Sequence, residues 1–472
     1  MGMLRKETKN IILIEVDADE KRAAYLRGND VQELIIERTE EPARIGDIYY
    51  GKVSGVNDAI HAAFVDIGVG RNCFLPFSDY PEKMKKGDRV FVQIAKDEIK
   101  TKPARLTGYI SVPGRFLIFM PNSQRGGVSK NITERQERLR LKKTMEDLKS
   151  SFGGAWISRT QASGRPEKEI ISDGTFLAAV WKEIETEKSK DIKTGPVYCM
   201  QDFTPKIIRE MLNDKTNAVY VEPDAEFEKA KMYLKRIAPD QKAVLAANSE
   251  NRSLFEIYGV EKVIRNLTKP SVSLPSGGEI VIQSTEALTA IDVNSKGFKK
   301  KGSVESTSFL TNKEAAKEIM RQIRIRNIGG IIVCDLIDME KSLHKQEIYD
   351  IMKEEASFDR AKIDILPLNR LGLVEITRQR LEDNILEKVS VKCSHCDGSG
   401  RVLSPLTMLI RIKRHLMKNK NNLQGVSVNV FVHPTVADMF TEEAIDALSL
   451  ATGKRIRMRA DYKISEQEYE IE

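Results

Sequence analysis

The sequence predicts a multidomain α/β protein, and three observations lead to this fold class. The chain has 472 residues, too many for a single hydrophobic core. Short β-rich segments recur between glycine-bearing turns in residues 41–120, the spacing of a small closed barrel of the OB type. Residues 276–389 alternate strand patterns with helical patterns, as α/β domains do.

The composition excludes several classes of protein. The chain is 41% hydrophobic and 31% charged, which is typical of a charge-rich globular protein. Its net charge of +7 is modest, so any affinity for nucleic acid must come from local basic patches. No run of 18 apolar residues is present and the first apolar run is short, so we expect no membrane segment and no signal peptide. Five cysteines do not suggest a disulfide framework, which predicts a reducing, cytoplasmic location.

The predicted domains follow changes in these patterns along the chain. The first 40 residues carry three short strand patterns, too few to close a core, so we expect them to pair with later strands. A helical pattern at 401–420 carries six basic residues and no acid, which predicts a helix with one basic face. The domain boundaries are 1–40, 41–120, 121–214, 215–275, 276–389, 390–403 and 404–472.

Two aspartates lie in apolar, β-branched runs, Asp292 in AIDVNS and Asp335 in IIVCDLIDM. Such runs are typical of buried strands, where an ionised carboxylate needs a neutralising partner. With Asn294 they form a set of oxygen ligands suited to Mg²⁺ or Mn²⁺. A helical pattern at 312–327 would set the two strands side by side if they are parallel neighbours. The alternative is that the aspartates cap strand ends or pair with arginines, and Asp338 ranks second as a ligand.

Basic residues near these strands predict a polyanionic substrate. We therefore interpret residues 276–389 as a metal-dependent phosphodiesterase acting on nucleic acid. Arg378 and Arg380, on a later strand pattern, are expected to hold backbone phosphates. The other basic residues are Lys296, Lys299, Lys300, Lys301, Arg321, Arg324 and Arg326.

Two further regions suggest contacts with nucleic acid. In the predicted barrel, Phe64 and Phe74 would face outward on adjacent strands near His61, forming a stacking platform for bases; the alternative is that both are core. Later, the basic turn 125–130 and the pair Arg159–Thr160 would hold a phosphate, although such residue pairs are common in ordinary turns. The basic residues that flank the aromatic pair are Arg71, Lys96 and Lys102.

Cys393 and Cys396 have the spacing of a zinc knuckle. Zinc takes four ligands, no second such pair exists, and His395 lies within the knuckle where binding would strain it. We therefore expect two chains to supply two thiolates each, which predicts a zinc-linked dimer. The alternatives are a redox pair or two free thiols.

Several separated motifs together resemble the ribonuclease E/G family over almost the whole chain. They occur in the expected order: AAFVDIG, MPNSQRGGVS, AIDVNS, IGGIIVCDLIDM, RLGLVEITRQR and CSHCDGSG. The resemblance implies a discontinuous ribonuclease-H-like core interrupted by an OB-fold domain and a 5′-sensor domain. A DNase-I-like catalytic domain, a zinc link and a small α/β dimerisation domain would follow.

The resemblance also implies an activity and a set of site residues. The activity is Mg²⁺-dependent cleavage of single-stranded, A/U-rich RNA in rRNA maturation and mRNA turnover. It leaves 5′-phosphate and 3′-hydroxyl ends and prefers 5′-monophosphorylated substrates. The implied catalytic residues are Asp292, Asn294 and Asp335, with both aspartates binding Mg²⁺. The residues implied to bind RNA are Phe64, Phe74 and Lys102. Those implied to bind the 5′-phosphate are Gly126, Val128, Arg159, Thr160 and Lys362. Cys393 and Cys396 are implied to bind zinc in a homodimer, with a tetramer as the alternative.

One departure and two rival functions accompany this interpretation. Lys362 stands where the family pattern leads us to expect an arginine, and lysine keeps the charge but loses the bidentate fork, so end sensing is expected to be looser. A non-catalytic RNA-binding assembly protein with a vestigial metal site would need the barrel but not the aspartates. A metal-dependent DNase would differ in not requiring the 2′-hydroxyl.

Overall fold

A computed structural model gives the fold of the protein. Its residues form two compact units, 1–388 and 389–472. No helix in the described residues is long and apolar enough to cross a membrane. Lys102 and the basic residues Lys299, Lys300 and Lys301 lie outside the described residues. The structure describes residues 9–38, 45–96, 103–188, 194–200, 202–237, 242–296, 303–380, 382–396 and 398–472.

The first sheet begins with an antiparallel meander, as predicted. Its strands are β1 (Asn10–Val16), β2 (Glu20–Arg27) and β3 (Asp30–Arg38). The free edge of β1 receives strands from later in the chain, as described below.

A closed five-stranded barrel follows, and it confirms the predicted OB-type fold. The strands are ordered β4-β5-β6-β8-β7, and β7 pairs with β4 to close the barrel. Apolar side chains from alternate positions fill its interior. The strands are β4 (Ile48–Asn57), β5 (Ala62–Asp66), β6 (Cys73–Pro76), β7 (Arg89–Lys96) and β8 (Arg105–Thr107).

The next region has a sheet and a core of its own. Its strand order is β11-β12-β10-β9, so residues 112–120 pair here and not in the barrel. Two helices pack on this sheet around the stacked rings of Phe119 and Trp156. The last strand, β13, joins the edge of the barrel beside β4. The elements are β9 (Val112–Pro113), β10 (Leu117–Met120), β11 (Gly127–Val128), α1 (Arg135–Phe152), β12 (Ala155–Ser158), α2 (Glu167–Lys188) and β13 (Gly195–Tyr198).

Residues 203–267 complete the first sheet, as expected from its incomplete core. β14 pairs in parallel with β1, and β15 pairs in parallel with β14, giving the order β15-β14-β1-β2-β3. Apolar residues of α3 and α4 pack against β1 and β14. The elements are α3 (Phe203–Met211), β14 (Thr216–Glu222), α4 (Asp224–Ile237), β15 (Val244–Ala247), α5 (Leu254–Ile257) and α6 (Val260–Leu267).

A six-stranded sheet carries the two aspartates. Its order is β16-β17-β18-β19-β21-β20, and only the neighbours β18 and β19 are parallel, because α7 crosses over between them. Apolar residues of α7 and α8 pack against the sheet. The elements are β16 (Ser271–Ser273), β17 (Glu279–Ser284), β18 (Leu288–Asn294), α7 (Val304–Arg326), β19 (Gly330–Asp335), α8 (Ser342–Ala356), β20 (Ile363–Ile365), β21 (Leu373–Arg378) and α9 (Ile385–Val389).

The start of α7 differs from the prediction for a local reason, whereas its end agrees to within one residue. The helix begins at Val304, because Ser303 caps it by accepting a hydrogen bond from the Ser306 N–H. Its first turns, rich in serine and threonine, lack the apolar stripe on which the predicted start at residue 312 depended. The helix ends at Arg326, because the next residue, Asn327, adopts the left-handed conformation (φ 51°) otherwise favoured by glycine.

The second unit is a small α/β domain. Its sheet has the order β23-β22-β24, with β22 and β23 parallel. The exposed side of α10 carries basic residues, as predicted, and among them lie the apolar residues Leu406, Ile410 and Met417. The elements are α10 (Pro405–Lys418), β22 (Ser427–Val432), α11 (Pro434–Ala437), α12 (Glu442–Thr452), β23 (Arg455–Ala460) and β24 (Tyr469–Ile471).

Candidate functional site

Asp292 and Asp335 lie side by side on the six-stranded sheet. The parallel register of β18 and β19 pairs the two residues directly, on strands that are about 4.8 Å apart in sheets of this kind. Both side chains are exposed, whereas their neighbours Ile291, Val293 and Cys334 are buried. The predicted helical crossover therefore has the geometry we expected. The expected burial of both strand faces is wrong, because Asp292 and Asp335 alternate with the residues that form the core.

Asn294 belongs to the same cluster. It lies two residues after Asp292 on the same face of β18, and its Nδ2 donates a hydrogen bond of 2.6 Å to Asp292 Oδ2. In the described part of the chain, neither aspartate forms an ion pair with lysine, arginine or histidine. Two adjacent carboxylates with no cationic partner repel each other unless a cation lies between them. This donor set therefore fits Mg²⁺ or Mn²⁺.

The described residues contain no cluster of three or more His, Cys, Asp or Glu side chains arranged to hold a metal. A divalent ion on this aspartate pair would therefore complete its coordination with water and with substrate oxygens. Mg²⁺ commonly binds in this way, through one or two carboxylates and a phosphate.

The loop after Asp335 is held in place by two hydrogen bonds with Asn312. This residue is fully buried in α7, its Nδ2 donates to Ile337 O at 2.7 Å, and its Oδ1 accepts from Ile337 N at 3.0 Å. Sequence analysis treated Asn312 only as the start of a helix. The available signal was an amide on the apolar stripe of α7, in line with Ala316 and Ile319.

Asp338 lies in that loop and not on a strand. β19 ends at Asp335, and the exposed Asp338 is close to Gly372. Asp338 ranked second as a ligand because strand alternation would turn it to the face opposite Asp335, and this argument does not apply outside a strand.

Most of the arginines predicted to bind a polyanion instead bind carbonyl or carboxylate oxygens within the protein. Arg324 and Arg326 are 4% and 5% exposed. Arg324 donates to Glu355 O and contacts its carboxylate, and Arg326 donates to Leu267 O and Lys269 O. The two guanidinium groups bind oxygen atoms of other segments of the first unit, so neither arginine is available to a substrate.

Arg321 and Arg378 show the same behaviour. Arg321 forms two hydrogen bonds with Glu318 and donates to Val31 O. Arg378 is 4% exposed and binds Asp359 with Nε and Nη2 at 2.9 and 3.1 Å. Lys296 and Arg380, by contrast, are exposed, so they remain candidates for phosphate contacts.

The aromatic pair on the barrel has the predicted geometry. Phe64 and Phe74 are directly opposite each other on β5 and β6, and their ring centroids are 6.2 Å apart. Both side chains are partly exposed and lie outside the apolar core of the barrel. His61 is exposed at the start of the same strand pair, with a positive φ of 49°. The alternative, in which both phenylalanines belong to the core, does not hold.

The pairing of β11 with β12 brings the predicted phosphate-binding residues into one region. Val128 is in register with Ser158. Just beyond this pair, Ser129 Oγ and Thr160 Oγ1 form a hydrogen bond of 2.9 Å. Gly126 packs against β12 so closely that a Cβ atom would lie 2.4 Å from Trp156 O. Only glycine allows this approach. The segment Gly126–Ser129 is called the sensor loop below.

Arg159 is held in a fixed position beside the sensor loop. Its Nη1 donates to Gly114 O at 2.6 Å. Burial lowers the pKa of its guanidinium, and the negative charge of Glu210 partly offsets this effect. Because arginine titrates far above neutral pH, Arg159 stays a cation.

A residue that we did not predict from the sequence, Asp173, orders the backbone where β10 begins. Asp173 of α2 is 1% exposed and accepts hydrogen bonds from the N–H groups of Arg115, Phe116 and Leu117 at 3.0, 2.8 and 2.9 Å. Burial raises the pKa of the Asp173 carboxyl, although these three bonds act to lower it. The available signal was a carboxylate at a core position of a helix, three residues after the buried Ile170.

Lys362 is exposed immediately before β20, with Nζ 3.7 Å from Asp364 Oδ2. Arg360, two residues earlier, forms an ion pair with Glu210. The negative charge of Glu210 also partly offsets the effect of burial on the pKa of the Arg159 guanidinium.

In the second unit, Cys393 and Cys396 form a turn suited to a metal. The backbone N–H groups of Cys396 and His395 lower the pKa of the Cys393 thiol. Gly400 N donates to Cys396 Sγ at 3.3 Å. Such N–H···S bonds stabilise thiolates, the form that binds zinc. His395 instead lies 3.7 Å from Glu466 Oε2, so the described residues supply two sulfur ligands here.

Comparisons with known proteins agree with these features. A model of the Ribonuclease E/G family matches residues 111–381, and a model of the S1 RNA binding domain matches residues 43–103. Ribonuclease G of Salmonella typhimurium (strain SL1344) is 31% identical over 98% of this chain and 99% of its own length. Ribonuclease G of Escherichia coli (strain K12) is 30% identical over the same shares. Ribonuclease E of Haemophilus influenzae is 32% identical over 93% of this chain and 49% of its own length.

Proposed function

Because the chain belongs to the ribonuclease E/G family, we propose that it is a metal-dependent endoribonuclease that cleaves single-stranded RNA during rRNA maturation and mRNA turnover. The observation that carries this proposal is the direct pairing of Asp292 with Asp335 on an exposed sheet surface. Carboxylate pairs of this kind hold divalent ions in phosphodiester-cleaving enzymes.

The chemistry assigns separate tasks to the residues of this site. Asp292 and Asp335 would hold Mg²⁺, which when bound lowers the pKa of a water and stabilises charge on the scissile phosphate. Asn294 restrains one oxygen of Asp292 and so fixes the direction of its carboxylate. Asn312 anchors the loop that follows Asp335. Cleavage on this plan leaves a 5′-phosphate and a 3′-hydroxyl.

The barrel would guide RNA to this site. The match to the S1 RNA binding domain supports RNA binding by residues 43–103. Phe64 and Phe74 present partly exposed rings to which bases can stack, each worth about 1–3 kcal/mol in comparable proteins. Lys102 is proposed to add a phosphate contact.

The sensor loop would favour RNA with a 5′-monophosphate. Gly126 and Val128 would offer backbone groups, Thr160 a hydroxyl and Arg159 a fixed positive charge. Lys362 would add a second charge without the geometry of a guanidinium. We therefore propose a preference for A/U-rich, 5′-monophosphorylated substrates that is weaker than an arginine at position 362 would give.

We also propose an assembly. The sheet order β3-β2-β1-β14-β15, with three parallel strands, is the arrangement that a ribonuclease-H-like core would have, and the six-stranded sheet is assigned as the DNase-I-like domain. Cys393 and Cys396 would share a zinc ion with the same pair of a second chain in a cytoplasmic homodimer. The exposed Leu406, Ile410 and Met417 of α10 would support the contact between chains.

The test is a cleavage assay on two RNAs that differ only in the 5′-end. A 5′-monophosphorylated, A/U-rich RNA and its 5′-hydroxyl twin are incubated with Mg²⁺ or with EDTA. We expect Mg²⁺-dependent cutting that is faster on the monophosphate. If RNA is bound but never cut, the protein is a non-catalytic RNA-binding protein and the proposed enzyme is refuted. Cutting of a matched DNA would indicate a DNase.

A further inference from the structure

A groove lies beside the sensor loop and is not used in the function proposed above. It runs between α1 and the edge formed by β11 and β12, and its volume is about 610 Å³. Pockets of roughly 300–1,000 Å³ hold small organic ligands, so this groove has room for a nucleotide. We call it the α1 groove.

One part of the α1 groove is apolar. Val128, Met145 and Trp156 line it, together with Leu139, whose side chain is 59% exposed. An exposed leucine on a helix wall offers apolar surface against which a ligand can pack. Gly127 on the opposite wall has open space where a Cβ would lie, so a planar group can approach the backbone there.

The helix wall of the groove is cationic. Arg135, Lys142 and Lys149 recur at intervals of seven residues along α1, so they share one face of the helix. Glu146 is the acid in the lining, and it lies 3.9 Å from Lys142 in a solvent-exposed pair that contributes little. Three like charges over an apolar floor are unfavourable for an apolar peptide and favourable for a ligand that combines a phosphate with a flat ring.

The groove is continuous with the sensor loop. Gly126 and Val128 belong to both, and Arg138 ties them together by donating from Nη1 to Ser129 O and Ile132 O, both at 2.8 Å. Ser129 in turn contacts Thr160. A chain bound in the groove would therefore lie next to the proposed 5′-phosphate pocket.

We infer that the α1 groove is a second RNA subsite, which takes one nucleotide of a single-stranded RNA with its base on the apolar floor and its phosphate toward Lys142 and Lys149. The choice of RNA as the ligand rests on the function proposed above. Leu139, Lys142 and Lys149 are not among the residues assigned to the 5′-phosphate, the metal or the barrel platform, so they would add affinity for RNA whatever the state of the 5′-end.

The test compares Lys142→Ala with Lys143→Ala in the full chain. Lys143 is the next residue, equally charged and exposed, and it does not line the groove. Binding of a 5′-hydroxyl, A/U-rich RNA is followed by fluorescence anisotropy in EDTA, so neither cleavage nor the 5′-phosphate contributes. We expect Lys142→Ala to weaken binding about 3- to 10-fold and to reduce the slope of log K against log salt by about one. Lys143→Ala should match the wild type.

A second variant tests the apolar floor. Leu139→Ala should weaken RNA binding several-fold while leaving the salt slope unchanged, because it removes stacking surface and no charge. If Lys142→Ala and Lys143→Ala bind RNA equally at every salt concentration, the subsite does not exist. Binding of adenosine monophosphate that depends on Lys142, with unchanged RNA affinity, would instead make the groove a site for free nucleotides and overturn the inference. Cleavage by the wild type is measured separately, so failure of the subsite and failure of the proposed enzyme are distinguishable.

Discussion

Replacement of Asn312 by leucine tests whether the buried amide positions the two aspartates that are proposed to bind metal. Leucine has a similar volume, so it leaves no cavity, but it removes both hydrogen bonds to Ile337. A buried backbone group left without a partner costs about 1–3 kcal/mol. The change therefore costs about 2–6 kcal/mol if both Ile337 groups stay buried. It costs less if the loop after Asp335 moves toward water, but Asp335 then shifts relative to Asp292.

The assay has two readouts. Denaturant unfolding gives the loss of stability, and the rate of RNA cleavage against Mg²⁺ concentration gives the integrity of the site. We expect Asn312→Leu to raise the Mg²⁺ concentration needed for half-maximal cleavage and to leave RNA binding in EDTA unchanged. A purely structural role would lower stability without changing the Mg²⁺ dependence.

Thr311→Val is the matched control. Thr311 is the preceding residue of α7, it is fully buried, and among the described residues its Oγ1 has no hydrogen-bond partner. Removal of this hydroxyl should be neutral or slightly stabilising. If Asn312→Leu has the same Mg²⁺ dependence as Thr311→Val, the reasoning that links Asn312 to the aspartate pair is refuted.

Three further predictions concern the proposed sites. Asp292→Asn and Asp335→Asn should each reduce cleavage by at least 100-fold with RNA affinity retained, since only the charge of the metal site is lost; near wild-type cutting by either variant would exclude the metal assignment. Cys393→Ala with Cys396→Ala should give monomers by light scattering, and an unchanged dimer would show that zinc is not the link. Lys362→Arg should increase the ratio of cleavage rates for monophosphorylated over hydroxyl RNA by a few-fold, because guanidinium binds phosphate in a bidentate manner; an unchanged ratio would remove Lys362 from the sensor.

The acidic pair could be predicted from the sequence because its geometry follows from local rules. Two β-rich runs joined by a helix predict a parallel crossover, and the register then places Asp292 beside Asp335. The same reasoning predicted incorrectly that both faces of these strands are buried. AIDVNS contains apolar residues on both sides of the aspartate, and the sequence does not show that only one face of the sheet would be covered by helices.

The basic residues of α7 show a different limit. Sequence reports the charge of Arg324 and Arg326 but not the carbonyl and carboxylate oxygens that surround them in the fold. The partners are more than 30 positions away in the chain. Long-range contacts of this kind are decided by tertiary packing, so charge patterning alone assigned these arginines to a substrate that they do not face.

Buried charges also join the first sheet to the six-stranded sheet, the proposed catalytic sheet, within the first unit. Lys206 of α3 contacts both Glu37 of β3 and Glu382, which follows the catalytic sheet, at 2.8 and 3.2 Å. Burial acts to raise the pKa of Glu382, but Lys206, Arg360 and Lys388 together lower it to about 2. In the folded protein Glu382 therefore stays charged down to about pH 2. Its contribution to stability is complete above its ordinary pKa of 4.5 and is lost as the pH falls from there toward 2.

Arg360 extends this network toward the sensor. It contacts Glu33 of β3 at 2.6 Å and also binds Glu210. The negative charge of Glu210 partly offsets the effect of burial on the pKa of the Arg159 guanidinium. Removing one member of a buried network leaves its partners uncompensated and costs about 3–5 kcal/mol in comparable cases. Such a network disfavours sliding between the first sheet and the catalytic sheet. If the proposed sensor is correct, Lys362 projects from a rigid support, so any looseness in recognising a 5′-phosphate would arise from the lysine side chain and not from its backbone.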